Sequence, residues 1–208
     1  PLKRWQLLNA LVAPLTALFA NSGRYAGENT GFASFRSQTW RETDPKRTGV
    51  FSTSDAAPAY LDFALDAAAI LPPHADAGFP PFGAVLADAT ENDWRAHLST
   101  LFPDVRPKGY FEIRCIDGQP TERYAAVLAT IIGVTMDSST STDAEVLLPP
   151  ASSQRVARAG HSGLADYELR SVCEDLVDIA LAGCRRQPDL IGGADVDEAE
   201  EVLRGLLV

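Results

Sequence analysis

Glu112 and Arg114 stand two residues apart in the run Arg106-Pro-Lys-Gly-Tyr-Phe-Glu-Ile-Arg-Cys-Ile-Asp117. Their types suit phosphate chemistry. A carboxylate on a rigid element is a ligand that a hard cation such as Mg²⁺ takes. A guanidinium clamps phosphate oxygens through two parallel hydrogen bonds. From Lys108 to Ile116 the β-branched and aromatic residues predict a strand, closed by a turn at Asp117-Gly118. Alternation places Tyr110, Glu112, Arg114 and Ile116 on one face, with Glu112 and Arg114 roughly 6–7 Å apart along the strand. Phe111, Ile113 and Cys115 take the other face, ready to pack on helices. The same pattern also describes a solvated or salt-bridged strand face, and this stretch taken alone favours that plainer reading.

The elements around this strand read mainly as helices. Residues 4–20 place Trp5, Leu8, Val12, Leu15 and Phe19 on one face, with Pro14 a kink or break and Asn21-Ser22-Gly23 a stop of the C-cap type. Residues 32–40 leave two alternatives open. An extended segment gives Phe32, Ser34 and Arg36 a common face, whereas a helix sets Arg36 and Trp40 one turn apart. Arg41 to Thr48 reads as a charged loop turning at Asp44-Pro45.

Ser54 or Asp55 caps a helix to about Ile70, with Tyr60, Phe63, Ala64, Ala67 and Ile70 as its buried stripe. Pro72-Pro73 ends that helix, and the loop to Gly83 holds an exposed His74. Thr90-Glu-Asn-Asp93 is a capping pattern for a short helix in which His97 reads as a packed histidine rather than a catalytic one. Beyond the strand, Pro120 opens a helix with Tyr124, Val127, Leu128, Ile131 and Thr135 on its stripe. Asp137 to Ala151 reads as a loop. A long helix from about Leu164 to Arg186 carries Leu169, Val172, Leu176 and Ile179. A last helix from Asp195 and Glu198 buries Val202, Leu203 and Leu206.

Composition narrows the function classes. The chain has 208 residues with 46% hydrophobic and 22% charged, the make-up of a globular protein with room for a core. Its apolar runs are too short and broken to predict a membrane span, and no secretory leader pattern appears at the N-terminus. The default compartment is the cytoplasm. Net charge is 18 − 28 = −10. It is uneven: residues 1–50 carry 7 − 3 = +4 and residues 51–208 carry 11 − 25 = −14. An acidic chain is a poor nucleic-acid partner, whereas the basic segment suits a small anion. Cys115, Cys173 and Cys184 show no pairing or zinc pattern. No phosphate loop, dinucleotide fingerprint or nucleophile elbow occurs, and the three histidines lack metal-ligand spacing. Any chemistry falls to carboxylates and arginines.

Several stretches, in order, resemble the glutamate–cysteine ligases, in particular the branch shared by plant enzymes and the actinobacterial ligases of ergothioneine biosynthesis. They are Ala17-Leu-Phe-Ala-Asn-Ser22, then Gly31-Phe-Ala-Ser-Phe-Arg36 with Trp40, Thr43-Asp-Pro-Lys-Arg-Thr-Gly49, and Tyr60-Leu-Asp-Phe-Ala-Leu-Asp66. The last is Asp93-Trp-Arg-Ala-His-Leu-Ser-Thr-Leu-Phe-Pro-Asp-Val-Arg106, which runs into Tyr110-Phe-Glu-Ile-Arg114 and Asp117. The resemblance covers residues 7–136 firmly and the C-terminal helices loosely.

It implies an α+β, glutamine-synthetase-like fold, with an antiparallel sheet cupping the active site and helices packed outside. Residues 1–136 would be the C-terminal part of the catalytic domain, and residues 137–208 a loop and helices packed on it. It implies ATP and Mg²⁺ as cofactors, and glutamate, cysteine and ATP as small-molecule substrates. The γ-carboxylate of glutamate is phosphorylated by ATP, and the amine of cysteine displaces the phosphate. By the same resemblance Glu112 is a Mg²⁺ ligand, Arg114 contacts the transferred phosphate, and Arg36, with Ser34 and Trp40, binds glutamate. This reverses the plainer reading of the strand. Two departures stand out. Gly23 replaces a usual proline, and the family's N-terminal half, with a Gly-x-Glu-x-Glu strand of further metal carboxylates, has no counterpart here. The isolated chain is therefore expected to be inactive and to need that half.

Overall fold

A computed structural model describes residues 2–53, 55–72 and 78–208. His74 and Ser54 lie outside the described residues. Helix α1 (Leu2–Leu18) runs through Pro14 without a break. Trp5, Leu8, Val12 and Leu15 are buried as the periodicity predicts, and so are Leu7, Leu11 and Leu18 on its other sides. It is a central helix with α8 (Ser153–Ser162) and α9 (Tyr167–Arg185) laid against it. Asn21-Ser22-Gly23 is no cap. The helix ends at Leu18, and Asn21 and Ser22 turn instead toward Asp117.

Residues 35–43 form helix α2 (Phe35–Thr43), which settles the alternatives for this segment. The Ser34 hydroxyl caps it by accepting from the Ser37 amide at 3.2 Å. Helix α3 (Ala56–Asp66) starts at Asp55 without a side-chain cap and stops short of Ile70, which is exposed. After α4 (Phe82–Val85), helix α5 (Glu91–Ser99) begins in the predicted capping box of Thr90 and Asp93. His97 is the packed histidine: its Nε2 lies 2.8 Å from the Ala64 carbonyl and its ring stacks on Phe82 at 4.2 Å. Burial lowers its pKa, against the raising effect of that carbonyl, so the neutral ring is favoured.

Among the described residues six short strands form three pairs. The hairpin β1 (Arg24–Tyr25) and β2 (Glu28–Asn29) is antiparallel, and β3 (Thr48–Gly49) runs parallel to β4 (Phe102–Pro103). Strands β5 (Val105–Pro107) and β6 (Phe111–Ile113) pair antiparallel, with Arg106 opposite Glu112. The strand expected over 108–116 is thus shorter. Gly109 at φ +79° supplies the left-handed turn between β5 and β6. Val105 to Pro107, just ahead of the predicted strand, is its partner. Asp117 is not a turn residue but a buried carboxylate. The architecture is α+β with helices dominant and only small sheets.

The C-terminal part departs furthest from expectation. Residues 138–147 form a helix, α7, rather than a loop. Asp137 caps it through the Thr140 amide at 3.0 Å, and the Ser/Thr-rich composition hides a helix whose buried face is Thr140 and Ala144. Helix α8 was not anticipated at all. Helix α6 (Tyr124–Thr135) follows a 3₁₀ turn at Thr121–Arg123 and bears out the predicted stripe only in part, with Thr135 buried and Val127 and Ile131 half-buried. Tyr124 and Leu128 are exposed, while Ala126, Ala129, Thr130, Gly133 and Val134 are buried. Small side chains let α6 approach α9 until backbone meets backbone. A Cβ on Gly133 would lie 1.9 Å from the Ala180 carbonyl oxygen. Helix α10 (Gly193–Leu206) then buries Val196, Ala199 and Leu203 against α6 and α9.

Candidate active site

Arg36, Arg114 and Glu112 come from two elements far apart in sequence and meet at one place. The Arg36 Nη2 donates to the Arg114 carbonyl at 2.7 Å, and the Arg114 Nη1 reaches the Glu112 Oε1 at 3.0 Å. Arg106 and Lys108 approach the other Glu112 oxygen at 3.5 and 3.4 Å. Burial pushes the Glu112 carboxyl up, but Arg114, Arg106 and Lys108 outweigh it and leave its pKa lowered. The carboxylate is therefore ionised at neutral pH and partly neutralises a floor of basic groups.

Aromatic packing holds this floor. Trp40, one turn after Arg36 on α2, stacks on Phe102 with ring centroids 4.8 Å apart. The guanidinium carbons of Arg114 and Arg106 lie 5.6 and 5.9 Å from the Phe102 ring centroid. Such cation–π contacts orient an arginine without using its hydrogen-bond donors. On the strand's other face Phe111 meets Trp5 at 5.8 Å, as expected of the helix-packing side. There Phe111 and Ile113 also border an open groove of about 770 Å³ with α1, α6 and α7.

Asp117 is the residue whose role the pattern alone left unread. Its Oδ2 accepts from the Asn21 amide at 2.8 Å and the Ser22 hydroxyl at 2.7 Å, and its Oδ1 accepts from the Ser34 hydroxyl at 2.9 Å. The Ser22 Oγ in turn accepts from the Arg36 amide at 3.0 Å. The chain of bonds runs from Asp117, three residues past Arg114, to the first turn of the helix that carries Arg36. Ser34 is fully buried, so its hydroxyl serves this network and the cap of α2. Helix α8 braces the other side of α2: the Ser34 amide donates to the Gly160 carbonyl at 2.8 Å, and Arg41 reaches the Val156 carbonyl at 3.3 Å. Asp117→Asn keeps the shape but turns one acceptor into a donor facing a donor. It should cost about 1–3 kcal/mol, read as a lower urea midpoint at unchanged slope.

The described residues do not hold a hard divalent cation by themselves. Among them no group of three His, Cys, Asp or Glu side chains converges. Glu112, the expected Mg²⁺ ligand, is ringed by three cations, while Mg²⁺ needs an octahedron of oxygens. An anion suits the place better. Among the described residues, Arg106 Nε is a buried donor without a hydrogen-bond partner, opposite Glu112 in the β5–β6 pair. Two guanidiniums and an ammonium around one carboxylate leave a net positive floor, which fits phosphate oxygens.

The three cysteines take no part. Cys115, Cys173 and Cys184 are buried free thiols. Burial pushes Cys173 up to about 12 and Cys115 higher still, which leaves both inert as nucleophiles.

Fold and site together define an α+β domain that presents a cationic strand pair beside an arginine-bearing helix. The chain belongs to Glutamate-cysteine ligase family 2, whose model matches residues 2–204. It is 34% identical over 203 residues to the chloroplastic glutamate–cysteine ligase of Brassica juncea, covering 86% of this chain and 40% of that protein. The chloroplastic glutamate–cysteine ligase of Medicago truncatula is 39% identical over 145 residues, 62% of this chain and 28% of its own length. That of Arabidopsis thaliana is 34% identical over 203 residues, covering 86% and 39%. The chain thus spans about two fifths or less of the length of these curated relatives. All three relatives are named as chloroplastic, so they lend no support to the cytoplasmic expectation. No helix among the described residues is long and apolar enough to cross a membrane.

Proposed function

We propose that this chain is part of a longer ATP-dependent ligase that joins the γ-carboxylate of glutamate to the amine of cysteine, and that it is inactive in isolation. The observation that carries the reading is the convergence of Arg36 and Arg114, linked at 2.7 Å across 78 residues of sequence, beside Glu112. In this reading the γ-phosphoryl group of ATP passes to the glutamate carboxylate oxygen and ADP leaves. The cysteine amine then attacks the acyl carbon, phosphate departs, and the amine loses a proton as γ-glutamylcysteine forms.

Each residue has a part suited to its place. Arg114, held over Phe102, meets the oxygens of the phosphoryl group as charge develops on them. Arg36 takes a carboxylate of glutamate with the donors it does not spend on Arg114. Trp40 supplies an apolar wall, and Ser34 acts by capping the helix that carries both. Glu112 would contribute one oxygen to a Mg²⁺ ion whose other ligands come from outside the described residues. The β5–β6 pair would extend into a larger antiparallel sheet of the glutamine-synthetase type once the remainder of the protein is present.

The test is phosphate release by the full-length protein with ATP, Mg²⁺, glutamate and a panel of amines. Release should require glutamate and be greatest with cysteine. Equal or faster release with amines lacking a thiol would move the assignment to a ligase for another amine. Arg36→Lys keeps the charge but loses the planar fork and the tie to Arg114. Glutamate binding should weaken by about 1.5–3 kcal/mol, the scale of a charge-assisted bond. An unchanged apparent glutamate affinity in Arg36→Lys would remove Arg36 from the site.

A further inference from the structure

Helix α6 buries its small residues where it meets α9 and α10. Its larger residues lie elsewhere. Tyr124, Leu128, Ile131 and Thr135 fall on one stripe by helical spacing, and Tyr124 and Leu128 on it are exposed. The stripe runs into the groove of about 770 Å³, whose lining Ile131 and Met136 share with Leu7 of α1 and with Phe111 and Ile113 of β6. Hydrogen bonds pin the walls together. The Arg4 Nη2 donates to the Thr135 carbonyl at 3.1 Å, and the Ser141 hydroxyl donates to the Val134 carbonyl at 2.8 Å. The groove is therefore built into the fold and is not a gap between loose helices. From Tyr124 to Met136 the apolar surface runs roughly 18 Å, the reach of about five extended residues rather than of a small molecule. A continuous apolar surface of that size marks a contact.

The edge of β6 sets the shape that fits. The Arg114 amide donates to the Asp104 carbonyl at 2.8 Å, and the Lys108 amide donates to the Tyr110 carbonyl at 2.7 Å. Even-numbered residues thus bond across the pair, and alternation turns the backbone groups of Phe111 and Ile113 away from β5. Among the described residues no third strand takes them. An unpaired edge beside an apolar groove is complementary to an extended segment with apolar side chains at alternate positions. We propose that such a segment, from the same polypeptide but outside these 208 residues, pairs with β6 and lays its apolar side chains across the groove onto Ile131 and Leu128. The inference rests on the reading of this chain as part of a longer ligase, and it names the surface on which the remainder docks. Length favours the same polypeptide over a separate partner. This chain covers only 40% and 39% of the relatives from Brassica juncea and Arabidopsis thaliana, so a longer protein of that size has ample chain to fill the groove.

The experiment makes two measurements on the full-length protein. Hydrogen exchange of wild type reads the edge: the Phe111 and Ile113 amides should exchange about 100-fold or more slowly than in an unstructured chain. Thiol labelling of Leu128→Cys, located by mass spectrometry, reads the stripe. The folded variant should react about 100-fold more slowly than the same variant in urea. Rates within about 10-fold of the unstructured ones at either place would overturn the proposal. Protection lost on dilution, as the mass of a dimer falls to that of a monomer, would give the groove to a second copy and overturn it as well. Phosphate release by wild type with ATP, glutamate and cysteine separates this inference from the reading beneath it. Release with an open groove overturns the docking alone. Absence of release with a covered groove overturns the ligase reading and leaves the groove as the seat of the remaining chain.

Discussion

Arg114→Lys is expected to slow turnover of the full-length protein about 100-fold, the scale of removing one preorganised donor from a developing charge. The side chain is locked by three contacts at once: the Glu112 carboxylate at 3.0 Å, the Phe102 ring, and a backbone whose carbonyl receives Arg36. Lysine satisfies the charge but presents a single rotating ammonium, so it cannot hold two phosphate oxygens together. Affinity for substrates should change less than turnover, because the lost contact strengthens only as the phosphoryl group transfers. The fold should barely notice. The Arg114–Glu112 pair is partly exposed, and such pairs are worth about 0–1 kcal/mol.

The second large effect is on stability. Gly133→Ala should cost about 3 kcal/mol or more, since helices α6 and α9 touch through backbone atoms where they cross. The added methyl would sit 1.9 Å from the Ala180 carbonyl oxygen, and a Cβ on Gly183 would meet the Gly133 carbonyl oxygen at the same 1.9 Å. Neither obstacle is a flexible side chain, so relief requires the helices to move apart. That separation would strain the Cys184 thiol's contact with the Ala129 carbonyl at 3.1 Å and the Thr140 hydroxyl's bond to the Gly133 carbonyl at 2.5 Å. Overpacking of a rigid contact typically costs about 1–3 kcal/mol and occasionally more. A urea melt of Gly133→Ala with the wild-type midpoint would show that this crossing is not rigid.

The contrast between α1 and α6 shows what was legible. In α1 large apolar residues recur at helical spacing, and they are buried where that spacing says. In α6 the larger residues misled. Tyr124 and Leu128 look like a core stripe, but the buried face is the run of Ala126, Ala129, Thr130 and Gly133, chosen by distance of approach rather than by hydrophobicity. Helix α7 was hidden for a related reason. Its Ser, Thr and Asp residues read as loop chemistry, and only the buried Thr140 and Ala144 and the cap at Asp137 reveal the helix.

At the site, alternation along the strand correctly set Glu112 and Arg114 on one face, and the four-residue spacing of Arg36 and Trp40 proved to be a helical turn. What spacing could not carry was the third dimension. Asp117 bonds to Asn21, Ser22 and Ser34, separated from it by 96, 95 and 83 residues. A short polar turn pattern gives no sign of such partners.

The central claim is that the β5–β6 strand pair is the floor on which the phosphoryl group is met. Its most direct measurement is phosphate release by the full-length protein, with ATP, glutamate and cysteine saturating, for wild type, Arg114→Lys and Glu112→Gln, beside the melting temperature of each. The expected result is turnover lowered about 100-fold in Arg114→Lys and clearly lowered in Glu112→Gln, with melting temperatures within a few degrees of wild type. Wild-type turnover in both variants would contradict the claim and leave these residues as no more than a salt bridge on a strand.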